Sequence, residues 1–241
     1  MIHETITYEC TRCGSLDIVK NGQTKQGKQK FHCRVCGAYG TLNPEVKYPP
    51  ERREKILRAY HERSSLRGLE RTFGVCRQTV AQWLKKSRAT ASLTESLVES
   101  QADDVLELDE LWSFVGQKEN KRWIWIALCR RTRQVVSFFI GDCGEESCWR
   151  LWQWIPPAYR HCHTFSDFWE TYQPVFGLLG QNHQSVGKET GETAHVERWN
   201  NTLRQRLARF VRKTLSFSKS DEYHEIALRL FIHEYNSAVI S

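Results

Sequence analysis

Long apolar runs are missing from this 241-residue chain. The longest, Trp123 to Cys129, is far short of the roughly 20 residues a membrane-spanning helix needs, and the N-terminus lacks the apolar centre of a signal peptide. Both absences exclude a membrane-embedded or exported protein, and the expected location is cytoplasmic. Disulfide architecture is excluded too, because nine cysteines are an odd number and four of them fall into two C-x2-C pairs. Acid is absent from Arg198 to Ser220, where seven basic residues stand without a counter-charge. What is present is enough apolar material, 40% of residues, for one substantial core and a small satellite domain or two.

The net charge of +7 is unevenly spread. Residues 1 to 90 carry 18 Lys and Arg against 8 acids, and residues 91 to 241 carry 17 against 20. A basic front of this kind attracts polyanions, and zinc-type cysteine spacing beside it favours nucleic acid over a membrane surface. Cys10, Cys13, Cys33 and Cys36 form two C-x2-C-G knuckles 19 residues apart, within the range of a four-cysteine zinc site. A hairpin from Leu16–Lys20 to Gln29–Cys33 fits between them. Four thiolates leave no open position, so this Zn2+ is expected to be structural, either purely architectural or with Lys20, Lys25, Lys28, Lys30 and Arg34 on phosphates. The remaining cysteines, Cys76, Cys129, Cys143, Cys148 and Cys162, read as small buried apolar residues.

Pro49-Pro50 closes the ribbon. Glu51 to Arg63 then reads as a helix, Ser64-Ser65 caps a short helix ending at Phe73, Gly74 supplies a turn, and Arg77 to Lys86 reads as a further helix with Val80, Trp83 and Leu84 inward. Its outward face, Arg77, Gln78, Thr79, Gln82, Lys85 and Lys86, has the basic and amide-rich character of a recognition helix in the major groove. The expected organisation is a zinc ribbon over 1–47, a helix-turn-helix over 48–88, a linker over 89–103 and a catalytic domain over 104–241.

In the last part, Val105 to Val115 reads as a strand with Leu106, Leu108, Glu110 and Trp112 on one face and Val105, Glu107, Asp109 and Leu111 on the other. Arg122–Cys129 and Gln134–Ile140 follow as strands of an antiparallel meander. A helix over Glu145–Ile155 leads to a short strand ending at Asp167. This element order is that found in α/β ribonuclease-H-like folds, and it puts Asp109 on the central first strand and Asp167 at the end of the neighbouring fourth. From Glu192 to Lys213, Glu197, Asn200 or Asn201, and Arg204 recur at helical spacing beside an apolar face of Trp199, Leu203, Leu207 and Phe210. Three carboxylates, Asp109, Asp167 and Glu197, suit two hard cations acting on a phosphodiester: Mg2+, or Mn2+ in its place. Arg198, Asn201 and Arg204 are the candidates for holding substrate phosphates. His195 falls on a different helical face from Glu197, where phosphate contact, packing and exposure are all open. His161-Cys162-His163 resembles a metal cluster, but neighbours on a strand point to opposite faces, which favours a structural role. Six tryptophans between Trp112 and Trp154 read as core, with one or two available for stacking on bases.

Leu-Asp-Glu-Leu-Trp, Phe-Ser-Asp and Ala-His-Val-Glu-Arg-Trp-Asn-Asn-Thr-Leu-Arg-Gln-Arg-Leu resemble the motifs of the insertion-sequence-one transposases, and the likeness runs the length of the chain. The resemblance implies a DDE triad of Asp109, Asp167 and Glu197, with Arg204 at the basic position seven residues on. It also implies binding of the element's inverted-repeat ends, metal-dependent nicking to free a 3′-hydroxyl, and transfer of that end into target DNA. Pairing two ends requires a homodimer or a larger assembly working at the nucleoid. The competing expectations are a nuclease that cuts without joining and a zinc-dependent DNA-binding regulator whose carboxylates are only structural.

Overall fold

The computed structural model describes residues 6–42, 47–177 and 183–240. It divides into two compact units, Met1–Arg53 and Glu54–Ser241. The ends of the expected ribbon, residues 1–5 and 43–46, lie outside the described residues.

In the first unit, β1 (Ile18–Gln23), β2 (Gln29–Cys33) and β3 (Tyr39–Thr41) form an antiparallel sheet in that order. The hairpin was expected; β3, only three residues long, was not. The apolar centre is small, with Phe31, Cys10 and Cys33 buried and Ile18, Ala38 and Leu42 packed beside them. So little burial cannot by itself hold such a segment folded.

The second unit begins with helices. α1 (Pro50–His61) starts at the boundary between the units, and α2 (Leu66–Phe73) and α3 (Arg77–Arg88) follow. Ser65 caps α2 by accepting a hydrogen bond from the Gly68 N–H at 3.0 Å. Gly74 ends it at φ +64°, a left-handed conformation that glycine adopts without steric cost, and its N–H bonds the Glu70 carbonyl. Val80 and Leu84 are buried and Trp83 is half-buried, so α3 presents the inward face expected of it. α3 packs against the last helix, α6 (Asp221–Ala238). Residues 89–103, a linker by sequence, lie against the main body: Leu93 and Leu97 join its two cores, and the Tyr159 hydroxyl and Gln134 amide bind the backbone at Val98 and Ser96.

The main sheet contains β4 (Val105–Phe114), β5 (Lys121–Cys129), β6 (Val135–Gly141), β7 (His163–Ser166) and β8 (His183–Ser185), in the order β6-β5-β4-β7-β8. β4 to β6 form the expected antiparallel meander, whereas β7 runs parallel to β4 and β8 parallel to β7. β8 was not expected. Helix α4 (Glu145–Trp154) covers one face, where Leu106, Leu108, Trp125 and Val136 meet Leu151 and Tyr172. α5 (Ala194–Arg206) and α6 cover the other, where Leu111, Ile124, Ile126 and Phe138 meet Trp199, Leu203 and Phe231. Both faces of the central strands are thus covered, which is why they read as nearly continuous apolar runs.

Of the six tryptophans expected in the core, Trp125 and Trp152 are buried but Trp149 and Trp154 are exposed, because α4 turns one side to solvent. Cys129, Cys148 and Cys162 are buried as expected, whereas Cys76 and Cys143 are exposed. His161 meets the Gln101 carbonyl and the His163 ring lies tilted against Phe165; among the described residues neither belongs to a metal-type cluster.

The edge strand β6 is closed by a side chain. Asn236 of α6 is fully buried; its Oδ1 accepts from the Val135 N–H and its Nδ2 donates to the Val135 carbonyl, both at 2.9 Å. The amide therefore replaces a neighbouring strand at that position. Asn236→Leu removes both partners and should destabilise the protein by about 2–4 kcal/mol in urea unfolding, since two buried backbone groups lose their bonds. A loss well below 1 kcal/mol would show that water replaces the amide.

Candidate functional site

The β4–β7 ladder ends at the pair Glu107↔Phe165. Beyond it β7 ends at Ser166 while β4 runs on to Phe114 paired only with β5, leaving a fork that no strand fills on that edge. Asp109 and Glu110 follow on β4, and Asp167 comes directly after β7. One carboxylate oxygen from each of the three lies within 4.8 Å of the other two. Three anions at that distance repel strongly in a partly buried site, and a divalent cation is the natural neutraliser.

Burial dominates the electrostatics of the trio, and the neighbouring charges add to it. Burial, opposed by hydrogen bonds from Asn200 and the Glu110 N–H and reinforced by the charges of Asp167 and Glu197, pushes Asp109 up to about 7. Burial and the Asp109 charge push Glu110 up to about 8, although its Oε2 accepts from the Tyr172 hydroxyl at 2.8 Å. Asn200 donates from Nδ2 to Asp109 Oδ2 at 2.6 Å, while its Oδ1 is buried without a partner. Asp167 closes a tight turn by accepting from the Trp169 N–H at 3.0 Å.

Of the carboxylates singled out by sequence, Asp109 and Asp167 are brought together. Glu197 is near enough for its charge to act on Asp109, but its Oε1 accepts from Thr193 Oγ1 at 3.1 Å and it stands outside the close trio. Glu110 takes that third place. Strand alternation places it on the face of Leu106 and Leu108, and there the structure has it, bonded to Tyr172 of that core; its carboxylate nears the other two at the edge of β4 that β7 leaves uncovered. Two successive acids in an apolar strand were the available signal. Of the two candidate asparagines, the buried Asn200 touches Asp109 and Asn201 is exposed. Arg198 is exposed; Arg204 is half-buried with its Nε unpartnered, and burial together with the Arg212 charge lowers its pKa.

Beneath the acidic cluster lies Glu107, with no exposed surface. Its Oε2 accepts from the backbone N–H groups of His195 and Val196 at 2.9 and 3.0 Å, in the first turn of α5. Its Oε1 meets Arg130 Nε at 2.8 Å and His195 Nδ1 at 2.6 Å. Arg130 in turn bonds the Glu192 carbonyl at 2.6 Å and carboxylate at 2.7 Å, and its guanidinium lies 5.1 Å from the centre of the Phe165 ring. Sequence reading gave Glu107 no role, because its partners are distant in the chain.

On α3, Arg77, Gln78, Gln82, Lys85 and Lys86 are exposed and Thr79 is half-buried. Two of the cations are engaged: Arg77 pairs with Glu70 at 2.9 Å and Lys85 with Glu222 of α6 at 2.6 Å. In the first unit, the sulfurs of Cys10, Cys13, Cys33 and Cys36 lie within 4.8 Å of one another, with Cys10–Cys36 and Cys13–Cys33 both at 3.7 Å. A tetrahedron with metal–sulfur bonds of about 2.3 Å has edges of about 3.8 Å, so the tetrad fits a zinc finger. The Arg12 N–H, 3.4 Å from the Cys10 sulfur, draws that thiol down to about 7.

A mixed sheet covered by helices, whose carboxylate trio could hold a divalent cation, and a separate unit whose four cysteines could hold zinc define the class as an α/β protein with an accessory cysteine unit. The model of the IS1 transposase family matches residues 104–236. The iso-IS1n protein InsB of Shigella dysenteriae is 36% identical over 133 residues, 54% of this chain and 95% of that protein. The IS1 4 protein InsB of Escherichia coli K12 is 37% identical over 119 residues, 49% of this chain and 68% of that protein. The chain belongs to the IS1 transposase family and is a DNA-processing enzyme of mobile elements.

The raised titration of Asp109 has a consequence for stability. Its pKa is about 7 when folded, against about 4 in an unfolded chain, so unfolding releases this proton between those values. Stability contributed by the neutral acid is complete below pH 4 and is lost by pH 7. In metal-free protein, Asp109→Asn should therefore raise the melting temperature by several degrees at pH 8, with the gain vanishing towards pH 4. Tryptophan fluorescence reads the second unit alone, since all nine tryptophans lie there. A gain independent of pH would refute the raised titration of Asp109.

Proposed function

We propose that the protein binds the inverted-repeat ends of its own insertion element, frees their 3′ ends and joins them to target DNA. The observation that carries this reading is the convergence of Asp109, Glu110 and Asp167 at the β4–β7 fork, inside the segment matching the transposase family. Asp109, Asp167 and Glu197 form the catalytic triad in this reading, and Glu110 adds an oxygen donor. Mg2+ or Mn2+ bound among these carboxylates would neutralise charge developing on the phosphodiester and assist loss of the attacking hydroxyl's proton. The carboxylates themselves orient the site. Asn200 fixes Asp109 through its amide, and Thr193 holds Glu197. Arg204, Arg198 and Asn201 on α5 face the strand's phosphates.

The strand order β6-β5-β4-β7-β8, with the first three strands antiparallel and the last two parallel to β4, supports a ribonuclease-H-like fold for residues 104–241. α2, the Gly74 turn and α3 support a helix-turn-helix within residues 48–88. Arg77, Gln78, Thr79, Gln82, Lys85 and Lys86 would read the element's ends, with DNA phosphates competing against Glu70 and Glu222 for the paired cations. Residues 1–47 form a zinc ribbon held by Cys10, Cys13, Cys33 and Cys36, and 89–103 connect the DNA-reading and catalytic parts. Joining two ends calls for a homodimer or larger assembly acting on cellular DNA at the nucleoid.

With labelled end DNA, a target plasmid and Mg2+, the wild type should form joined products. Asp109→Asn, Asp167→Asn and Glu197→Gln should each retain end binding and lose nicking and joining by at least a thousandfold. Nicking without transfer would make the protein a nuclease, and binding that needs neither Mg2+ nor Asp109 for any effect would make it a regulator. Chelation should release about one Zn2+ per chain and unfold the first unit, because metal binding supplies most of its folding free energy. Tryptophan fluorescence of the second unit should stay unchanged, and full proteolytic resistance of the first unit after chelation would contradict a structural zinc.

A further inference from the structure

The three residues of the proposed triad share a neighbour pattern. Glu107 lies two residues before Asp109, Phe165 two before Asp167 and His195 two before Glu197, and these three predecessors meet around one ion pair. Glu107 receives the α5 backbone at His195 and Val196 and the His195 ring. Arg130 bonds Glu107, packs on Phe165 and holds Glu192 on the approach to α5. Phe165 and Glu107 are themselves partners in the last register of the β4–β7 ladder.

We infer that Glu107 and Arg130 are positioning residues that set the spacing of the proposed triad. The inference rests on the function proposed above. On a strand, two residues return to the same face, so fixing Glu107 fixes the side on which Asp109 emerges, and holding Phe165 places the end of β7 that the Asp167 turn follows. On a helix, two residues are little more than half a turn. Anchoring His195 and Val196 therefore sets both the height and the rotation of α5, and with them the places of Glu197 and Asn200.

The chemistry of the anchor is specific to a carboxylate. Both oxygens face donors only: two backbone N–H groups on one, a guanidinium and an imidazole nitrogen on the other. The first turn of a helix offers unpaired N–H groups and the positive end of its dipole, so an anion there satisfies both. Glutamine, of the same size, would place its NH2 against N–H donors and push α5 away from β4. Lysine in place of Arg130 keeps the charge but cannot bridge Glu107 and Glu192 while stacking on Phe165.

The test uses zinc-loaded full-length protein and follows Mn2+ binding by electron paramagnetic resonance, together with joining kinetics. Glu107→Gln should weaken Mn2+ binding at least tenfold and lower the joining rate about a hundredfold, with KM for end DNA unchanged. Arg130→Lys should show smaller losses of the same kind, and it carries the test if Glu107→Gln does not fold. Val136→Ala, a core change on the other side of the sheet, supplies a control of lowered stability and should leave Mn2+ affinity intact. Wild-type Mn2+ affinity and rate in both anchor variants would overturn the inference, as would equal losses in Val136→Ala. Asp109→Asn separates the two levels: if it binds Mn2+ like the wild type, the triad reading fails, and if it alone loses the metal, only the anchor does.

Discussion

Glu107 is a fully buried carboxylate whose place is set by charge rather than by apolar packing. An ionised group in a protein interior is costly unless it is paired and its lone pairs are filled. Here the pairing is distributed: the first turn of α5, the His195 ring and Arg130 each supply a donor, and Arg130 carries the tie on to Glu192. Much of the second unit's arrangement depends on this one site, because it joins the central strand to the helix covering it at the level where the sheet forks. The other end of α5 is also tied down, by the Arg63 N–H on the Arg206 carbonyl at 2.6 Å. A helix fixed at both ends holds Asn200 against Asp109 without further adjustment.

The acidic cluster is the opposite kind of feature. Asp109 and Glu110 carry pKa values pushed to about 7 and about 8, so the metal-free protein holds carboxyl groups it would be more stable without. Such local instability marks sites whose geometry is maintained for chemistry rather than for folding. The surrounding structure offsets it by rigid support: Tyr172 on Glu110, Asn200 on Asp109, and the aromatic layer of Trp125, Tyr172 and Phe176 beneath. Asn200 Oδ1 and Arg204 Nε, on the same helix as Glu197, are buried polar atoms without a hydrogen-bond partner.

In the proposed reading, one surface of α3 serves two purposes. Its outward residues have the character of a DNA-reading face, yet Lys85 and Arg88 pair with Glu222 and Glu225 of α6. These are exposed or half-exposed pairs, weak in water and easily exchanged for phosphate. They orient the helix without committing its charges.

Sequence by itself determined the parts governed by local periodicity and local chemistry. The two cysteine knuckles, the Ser65 and Gly74 ends of α2, the meander of β4 to β6 and the apolar face Trp199, Leu203, Leu207 and Phe210 each follow from spacing that a short segment imposes on itself. The acids at 109, 167 and 197 were visible because of the apolar or basic stretches around them, and the family motifs named them together. Glu107 was not visible, because its partners lie 23 and 88 residues away and nothing near it in the chain requires them. Alternation gave Glu110 its correct face, that of Leu106, Leu108 and Tyr172, but nothing in the period showed that its carboxylate would approach those of Asp109 and Asp167. β3 and β8 are three residues each, too short for any period to register, and exist because a longer strand offers them an edge. Tertiary structure alone decided which acids converge, since that depends on where the β4–β7 ladder stops and on a buried charge whose donors come from distant parts of the chain.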